Sequence, residues 1–311
     1  MYDCELETLN REAKNDPAGL VRRSEENYRQ KLEDIKNDVL SHGGVRLFLL
    51  SGPSASGKTT TAAILSDAFR RAGVASEVIS LDNFYRESDD PDYPKLPDGT
   101  RDLESDEALH LPMLHACLEK VTAGEPFEVP RYDFGTGSRV GTPTRFPSMK
   151  DGIVMIEGLH ALNPKITDGL PAERCRKMFI SLSTNLTEDG RRILSGRKLR
   201  FVRRTVRDRL YRDASAAHTF ALWENVLAGE DKYLYPYRDR ADYTMNTFHP
   251  FEVGLMAPLF LKTLSEHPLE HPYVRAVTAA LEKAVPVPES LVPQDSLLRE
   301  FIPGGIYESM Y

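Results

Sequence analysis

Gly52-Pro53-Ser54-Ala55-Ser56-Gly57-Lys58-Thr59 fits the pattern G-x-x-x-x-G-K-[ST], and its flanks decide how it folds. Residues 45–51 before it are a short apolar run that reads as a strand, and 57–72 read as a helix closed by Gly73. A strand running through a glycine-rich turn into a helix makes a phosphate-binding loop. The glycines let backbone N–H groups turn inward around phosphate oxygens, and the helix start adds the positive end of its dipole. In such a loop Lys58 reaches the outer phosphates and the Thr59 hydroxyl ligates Mg²⁺. Residues 52–60, including Thr60, are therefore the candidate site for a nucleoside triphosphate such as ATP. A chance Gly/Ser turn with an incidental Lys would have no reason to sit between a strand and a helix.

Outward from this loop, strands are expected at 77–81, 153–157, 177–182 and 243–246. Helices are expected at 17–41, 106–123, 199–213, 215–228, 252–265 and 272–284. Asp16-Pro17 supplies the cap and first-turn proline that open the first of these. Strands alternating with helices predict an α/β fold of the P-loop NTPase type: a mostly parallel sheet with helices on both faces. Residues 127–147 interrupt the alternation and read as a hairpin-like excursion around Gly135-Thr136-Gly137. The chain then divides into an N-terminal helical extension (1–44), a P-loop domain (45–265) and a C-terminal helix with a Pro-interrupted tail (266–311).

Two acids stand where strands end, the edge at which open α/β sheets place ligand groups. Asp82, in Ser80-Leu81-Asp82-Asn83-Phe84-Tyr85, reads as a general base for an attacking hydroxyl or as a Mg²⁺ carboxylate, against the plainer role of a helix cap. Glu157 closes Ile153-Val154-Met155-Ile156-Glu157 and reads as a carboxylate near the metal, against a salt-bridged or capping Glu. Phe84 and Tyr85 fit equally as core aromatics or as walls of an acceptor pocket.

The formal charge of the 311 residues is −7, but it is unevenly spread. Residues 191–212 hold nine Arg and one Lys against one Asp, a local +9, which leaves −16 on the remainder. From 199 onward the spacing is helical, and Arg200, Arg203, Arg204 and Arg207 share one face. Such a face calls for an anion, and a helical lid over a transferring phosphoryl group fits it best. Solvated ion pairs and nucleic-acid contact are the alternatives, and the acidic body argues against the latter. Three distant cysteines fit a reducing cytoplasm. No apolar run reaches the ~20 residues of a membrane span.

Together these stretches resemble the uridine kinase/phosphoribulokinase family of P-loop kinases. The likeness is carried in order by residues 52–59, Leu81-Asp82-Asn83-Phe84-Tyr85, Arg131-Tyr132-Asp133-Phe134 with Ser138-Arg139, Ile156-Glu157-Gly158, and 200–208. The resemblance implies Mg²⁺-dependent transfer of the ATP γ-phosphate to a nucleoside 5′-hydroxyl, for which uridine or cytidine is the expected acceptor. Asp82 would be the base, with Lys58, Arg203, Arg204 and Arg207 acting on the phosphates and Arg200 on the nucleotide. Thr59, Asp82 and Glu157 would serve the metal, and Tyr85, Glu104, Tyr132 and Arg139 the nucleoside. Pyrimidine-specific members have a His where Gly137 stands, and an Asp where Lys198 stands. Two other functions compete: a kinase of the same fold for another small alcohol, such as a sugar phosphate or vitamin precursor, and a non-catalytic nucleotide-binding regulatory or RNA-associated protein. A homo-oligomer remains compatible with the sequence.

Overall fold

The computed structural model describes residues 2–310. Its centre is a five-stranded parallel sheet of β1 (Leu47–Ser51), β2 (Ser76–Ser80), β3 (Ile153–Glu157), β4 (Cys175–Ser181) and β5 (Tyr243–Asn246), in the spatial order β5-β4-β1-β3-β2. Around it lie α1 (Pro17–His42), α2 (Lys58–Arg71), α3 (Leu111–Ala123), α4 (Gly196–Arg212), α5 (Ala216–Tyr233) and α6 (Glu252–Glu266). All five residues of β1 are buried, which is why it reads as an apolar run and not as an alternation. Phe48 and Leu50 join the core shared with α1, α2, α4 and α6, while Leu47 and Leu49 join a second core against α3. Helices therefore cover both faces, as the sequence predicts.

The expected helix at 106–123 is corrected to two pieces. A 3₁₀ turn, Asp106–Ala108, is capped by the Ser105 side chain, and α3 starts only at Leu111 after His110 caps it. Pro112 lies in the first turn of α3, where its missing N–H and fixed φ are readily tolerated. The excursion at 127–147 is present as two short antiparallel pairs, Phe127–Val129 with Thr144–Phe146 and Tyr132–Asp133 with Ser138–Arg139.

A second sheet lies outside the sequence expectation. Tyr2–Glu5 pairs parallel with Thr184–Glu188, which pairs antiparallel with Arg191–Leu194. Its turn is Asp189-Gly190, both at positive φ (50° and 71°), the dipeptide that a tight hairpin prefers. Arg191 and Arg192 thus belong to a strand and not to the arginine helix. After helix Pro272–Leu281 the chain returns to the main core, where Leu297, Leu298, Phe301 and Ile302 are fully buried. No helix among the described residues is long and apolar enough to cross a membrane.

Candidate active site

Because β3 lies between β1 and β2, three strand ends deliver their groups side by side. Leu50 pairs with Glu157, and Glu157 with Ser80. One residue row therefore carries the start of the phosphate loop, the acid of β3 and the turn that holds Asp82. These groups open onto a cavity of about 660 Å³ lined by Ser54, Ala55, Lys58, Thr59, Ser80, Asp82, Tyr85, Glu104 and Glu157. The side facing α4 is lined by Arg204, Arg207, Tyr211 and Arg212.

Within this row the Thr59 hydroxyl donates to the Glu157 carboxylate at 3.2 Å. Glu157 is buried, and burial lifts its pKa to about 7, with Lys58 opposing and Asp82 adding to the rise. Asp82, in the turn after β2, lines the cavity and is exposed. Its surroundings raise its pKa above the usual carboxylate value, and Lys58 and Arg212 hold that rise down. Helix capping, the plainer role for Asp82, falls instead to Ser80, whose side chain accepts from the Asp82 N–H at 3.3 Å. The aromatic question resolves both ways: Phe84 is core, and Tyr85 lines the cavity while donating to the Leu103 carbonyl.

The arginine face is corrected in part. Arg204 and Arg207 line the cavity, but Arg200 and Arg203 turn inward and are fully buried. Arg200 makes two bonds of 2.7 Å to the buried carboxylate of Glu230. Arg203 pairs with buried Glu252 and donates to the Thr247 carbonyl at 2.9 Å. A buried guanidinium needs a paired anion of its own, so these two are bound to acids and not poised for phosphates. Their effect on the site is through the loop. Arg200 donates to the Ser54 carbonyl at 2.8 Å, Arg204 to the Ser54 hydroxyl at 2.9 Å, and the Ser54 N–H donates to Glu230 at 2.9 Å. Ala55, at φ 56°, is held next to this clamp in a conformation unusual for a residue with a side chain. Burial holds Arg204 and Arg212 below their ordinary pKa, a penalty that an anion in the cavity would relieve.

The remaining sequence candidates separate. Glu104 reaches the cavity. Tyr132 packs on Tyr85 and Phe134 beside it, and Arg139 pairs with Glu87 and donates to the Tyr85 carbonyl at 3.0 Å. Both therefore flank the cavity without lining it. Gly52, Pro53, Ser56 and Gly57 belong to the loop and Thr60 to the first turn of α2, and none of the five lines the cavity. Arg212, Tyr211, Glu300, Glu308 and Met310 line the cavity without having been singled out. Tyr211 continues the i+4 step from Arg207 and was legible; the C-terminal residues carry no local pattern.

Burial raises the Glu104 pKa to about 7, with Glu230 adding to the rise and Arg204 and Lys58 opposing it. A carboxyl raised on folding keeps its proton where the unfolded chain has lost it. Its stabilising contribution is full below about 4.5 and is lost as pH rises through about 7. Unfolding in urea should therefore show Glu104→Gln gaining stability relative to the parent at pH 8 compared with pH 5. A difference that does not change between the two pH values would contradict the raised pKa.

The donors around Lys58 are all hard oxygens: the Thr59 hydroxyl and the carboxylates of Glu157 and Asp82. That set fits Mg²⁺, which takes one or two carboxylates and lets substrate phosphates complete its shell. Among the described residues no three His, Cys, Asp or Glu gather to hold a metal without such help.

Residues 48–172 match a family model described as "Phosphoribulokinase / Uridine kinase family". A uridine kinase from Schizosaccharomyces pombe is 30% identical over 119 residues, 38% of this chain and 25% of that protein. One from Deinococcus deserti is 27% identical over 168 residues, 53% of this chain and 70% of that protein. A solved protein from Silicibacter sp. TM1040, described as a fructose transport system kinase, superposes with a TM-score of 0.51 at 20% identity over 69% of this chain and 98% of that chain. The last likeness concerns the fold alone. The chain spans a quarter of the length of the first of these relatives.

Proposed function

We propose, from the match of residues 48–172 to the Phosphoribulokinase / Uridine kinase family model, that this protein is an ATP-dependent kinase that phosphorylates the hydroxyl of a small alcohol, a nucleoside first. The single observation that carries this is the convergence of Lys58 at the start of α2, Glu157 at the end of β3 and Asp82 just after β2 around one cavity. ATP phosphates would lie against the N–H groups of the loop and the start of α2, with Lys58 on the outer phosphates. Thr59, Glu157 and Asp82 are the groups to hold Mg²⁺, which when bound neutralises charge developing on the phosphates. Asp82 accepts the proton of the attacking hydroxyl, and Arg204, Arg207 and Arg212 offset charge on the transferred group. Tyr85, Glu104 and Tyr132 form the acceptor end, with Arg139 holding the hairpin in place.

One observation favours widening the acceptor beyond uridine or cytidine. Gly137 has φ +67°, and a Cβ there would lie 2.7 Å from Ser88 Cβ and 3.2 Å from the Arg101 guanidinium. A His at this position would be strained and would need Ser88 and Arg101 to shift, and the Gly137 that stands there supplies no side-chain hydrogen bond to a base. A sugar or sugar phosphate is the second acceptor class. The test is acceptor-stimulated ADP formation from ATP and Mg²⁺ across nucleosides, sugars and sugar phosphates. Stimulation by a nucleoside is expected, and no stimulation by any member of the panel would refute the kinase assignment.

A further inference from the structure

The C-terminal segment enters the phosphate loop from a distance of 240 residues. The Glu300 carboxylate accepts from the Thr60 hydroxyl at 3.0 Å and from the Thr60 N–H at 3.4 Å. Thr60 is in the first turn of α2, where free N–H groups and the helix dipole favour an anion. Both residues are buried, Glu300 to 5% exposure and Thr60 to 0%. The carboxylate also lines the cavity that holds Lys58, Thr59 and Glu157.

This contact is built and not incidental. Ser296 caps the short 3₁₀ turn Leu297–Glu300 and bonds buried Glu25 on α1. Arg299, beside Glu300, donates to the Val292 carbonyl at 2.7 Å and to Glu289 at 3.1 Å. Leu297 packs where Gly57 has no Cβ; an added Cβ would lie 2.6 Å from its methyl. Phe301 lies under the Arg203 guanidinium at 5.1 Å. With Leu297, Leu298, Phe301 and Ile302 all at 0% exposure, the backbone of the turn is fixed and only the Glu300 side chain is free to yield.

We propose that Glu300 is a tethered anion that competes with the phosphates of the nucleotide for the start of α2, and so sets how tightly this protein binds ATP. The proposal rests on the P-loop binding ATP, as argued above. A nucleotide phosphate drawn to the first-turn N–H groups meets a carboxylate already bonded there, and two anions at hydrogen-bond distance from the same donors repel each other. ATP binds only in the fraction of molecules whose Glu300 has swung aside, and its apparent Kd is raised by the inverse of that fraction. Glutamine keeps the shape and an acceptor oxygen but removes the charge.

The experiment compares the parent and Glu300→Gln by calorimetry with ATP and, separately, with inorganic tripolyphosphate, which has no base or ribose. Tightening of both by about tenfold is expected, corresponding to an open fraction near one in ten. Adenosine affinity should not change, because adenosine brings no phosphate. Equal or weaker ATP and tripolyphosphate binding by the variant overturns the proposal, makes Glu300 a structural anchor of the tail, and leaves the kinase assignment standing. Tightening that extends equally to adenosine also overturns it. Absence of ATP binding in both folded proteins overturns the competitor and the kinase assignment together.

Discussion

Replacing Asp82 with Asn is expected to lower acceptor-dependent turnover by about 10²-fold or more while ATP still binds. Asparagine preserves the size of the side chain and its place after Ser80 but has no basic oxygen to receive a proton. The contacts proposed for ATP come from the loop and from Lys58 at the start of α2, and these are untouched by the change. The measurement pairs single-turnover kinetics with the calorimetric Kd for ATP in Mg²⁺. A fall in kcat at constant Kd identifies a base, whereas a fall in ATP affinity of similar size would assign Asp82 to the metal. Near-normal turnover would remove it from the chemistry altogether.

Asp82 and Glu157 were legible in the sequence because their signal is local: an apolar strand ends, and an acid follows at the edge where the sheet opens. The P-loop is legible for the same reason. The arginine helix shows where such reasoning stops. Periodicity groups Arg200, Arg203, Arg204 and Arg207 on a face, but it does not say what covers each part of that face. The covering acids, Glu230 and Glu252, lie 30 and 49 residues further on, in α5 and at the start of α6. The small sheet joining Tyr2–Glu5 to Thr184–Glu188 is hidden likewise, because neither strand has a core pattern long enough to betray its partner. Asp189-Gly190 was the one readable clue to it. Glu300 is the extreme case: its partner is defined by the return of the chain across the core, and by nothing in its neighbours.

The largest loss of stability is expected at Glu230, where fold and site share one carboxylate. Glu230 accepts two bonds from Arg200 and one from the Ser54 N–H, all within buried surroundings. Changing it to Ala leaves a guanidinium at 1% exposure with no anion and strips the loop of its brace. Breaking a buried pair on one side costs about 3–5 kcal/mol, because the remaining charge is stranded in a medium that cannot solvate it. Urea unfolding of Glu230→Ala should show a loss of that order. The double variant Arg200→Met with Glu230→Leu separates charge from packing, since replacing both partners of a buried pair by apolar groups is often neutral. Its stability should recover to near the parent, while its ATP binding stays weak because the Ser54 backbone has lost the Arg200 donor and the Glu230 acceptor and keeps only the Arg204 bond to its hydroxyl. Recovery of stability and of ATP binding together would show that the pair serves the core alone. A loss below about 1 kcal/mol in the single variant would show that water reaches Arg200 and that the clamp on the loop is not a buried one.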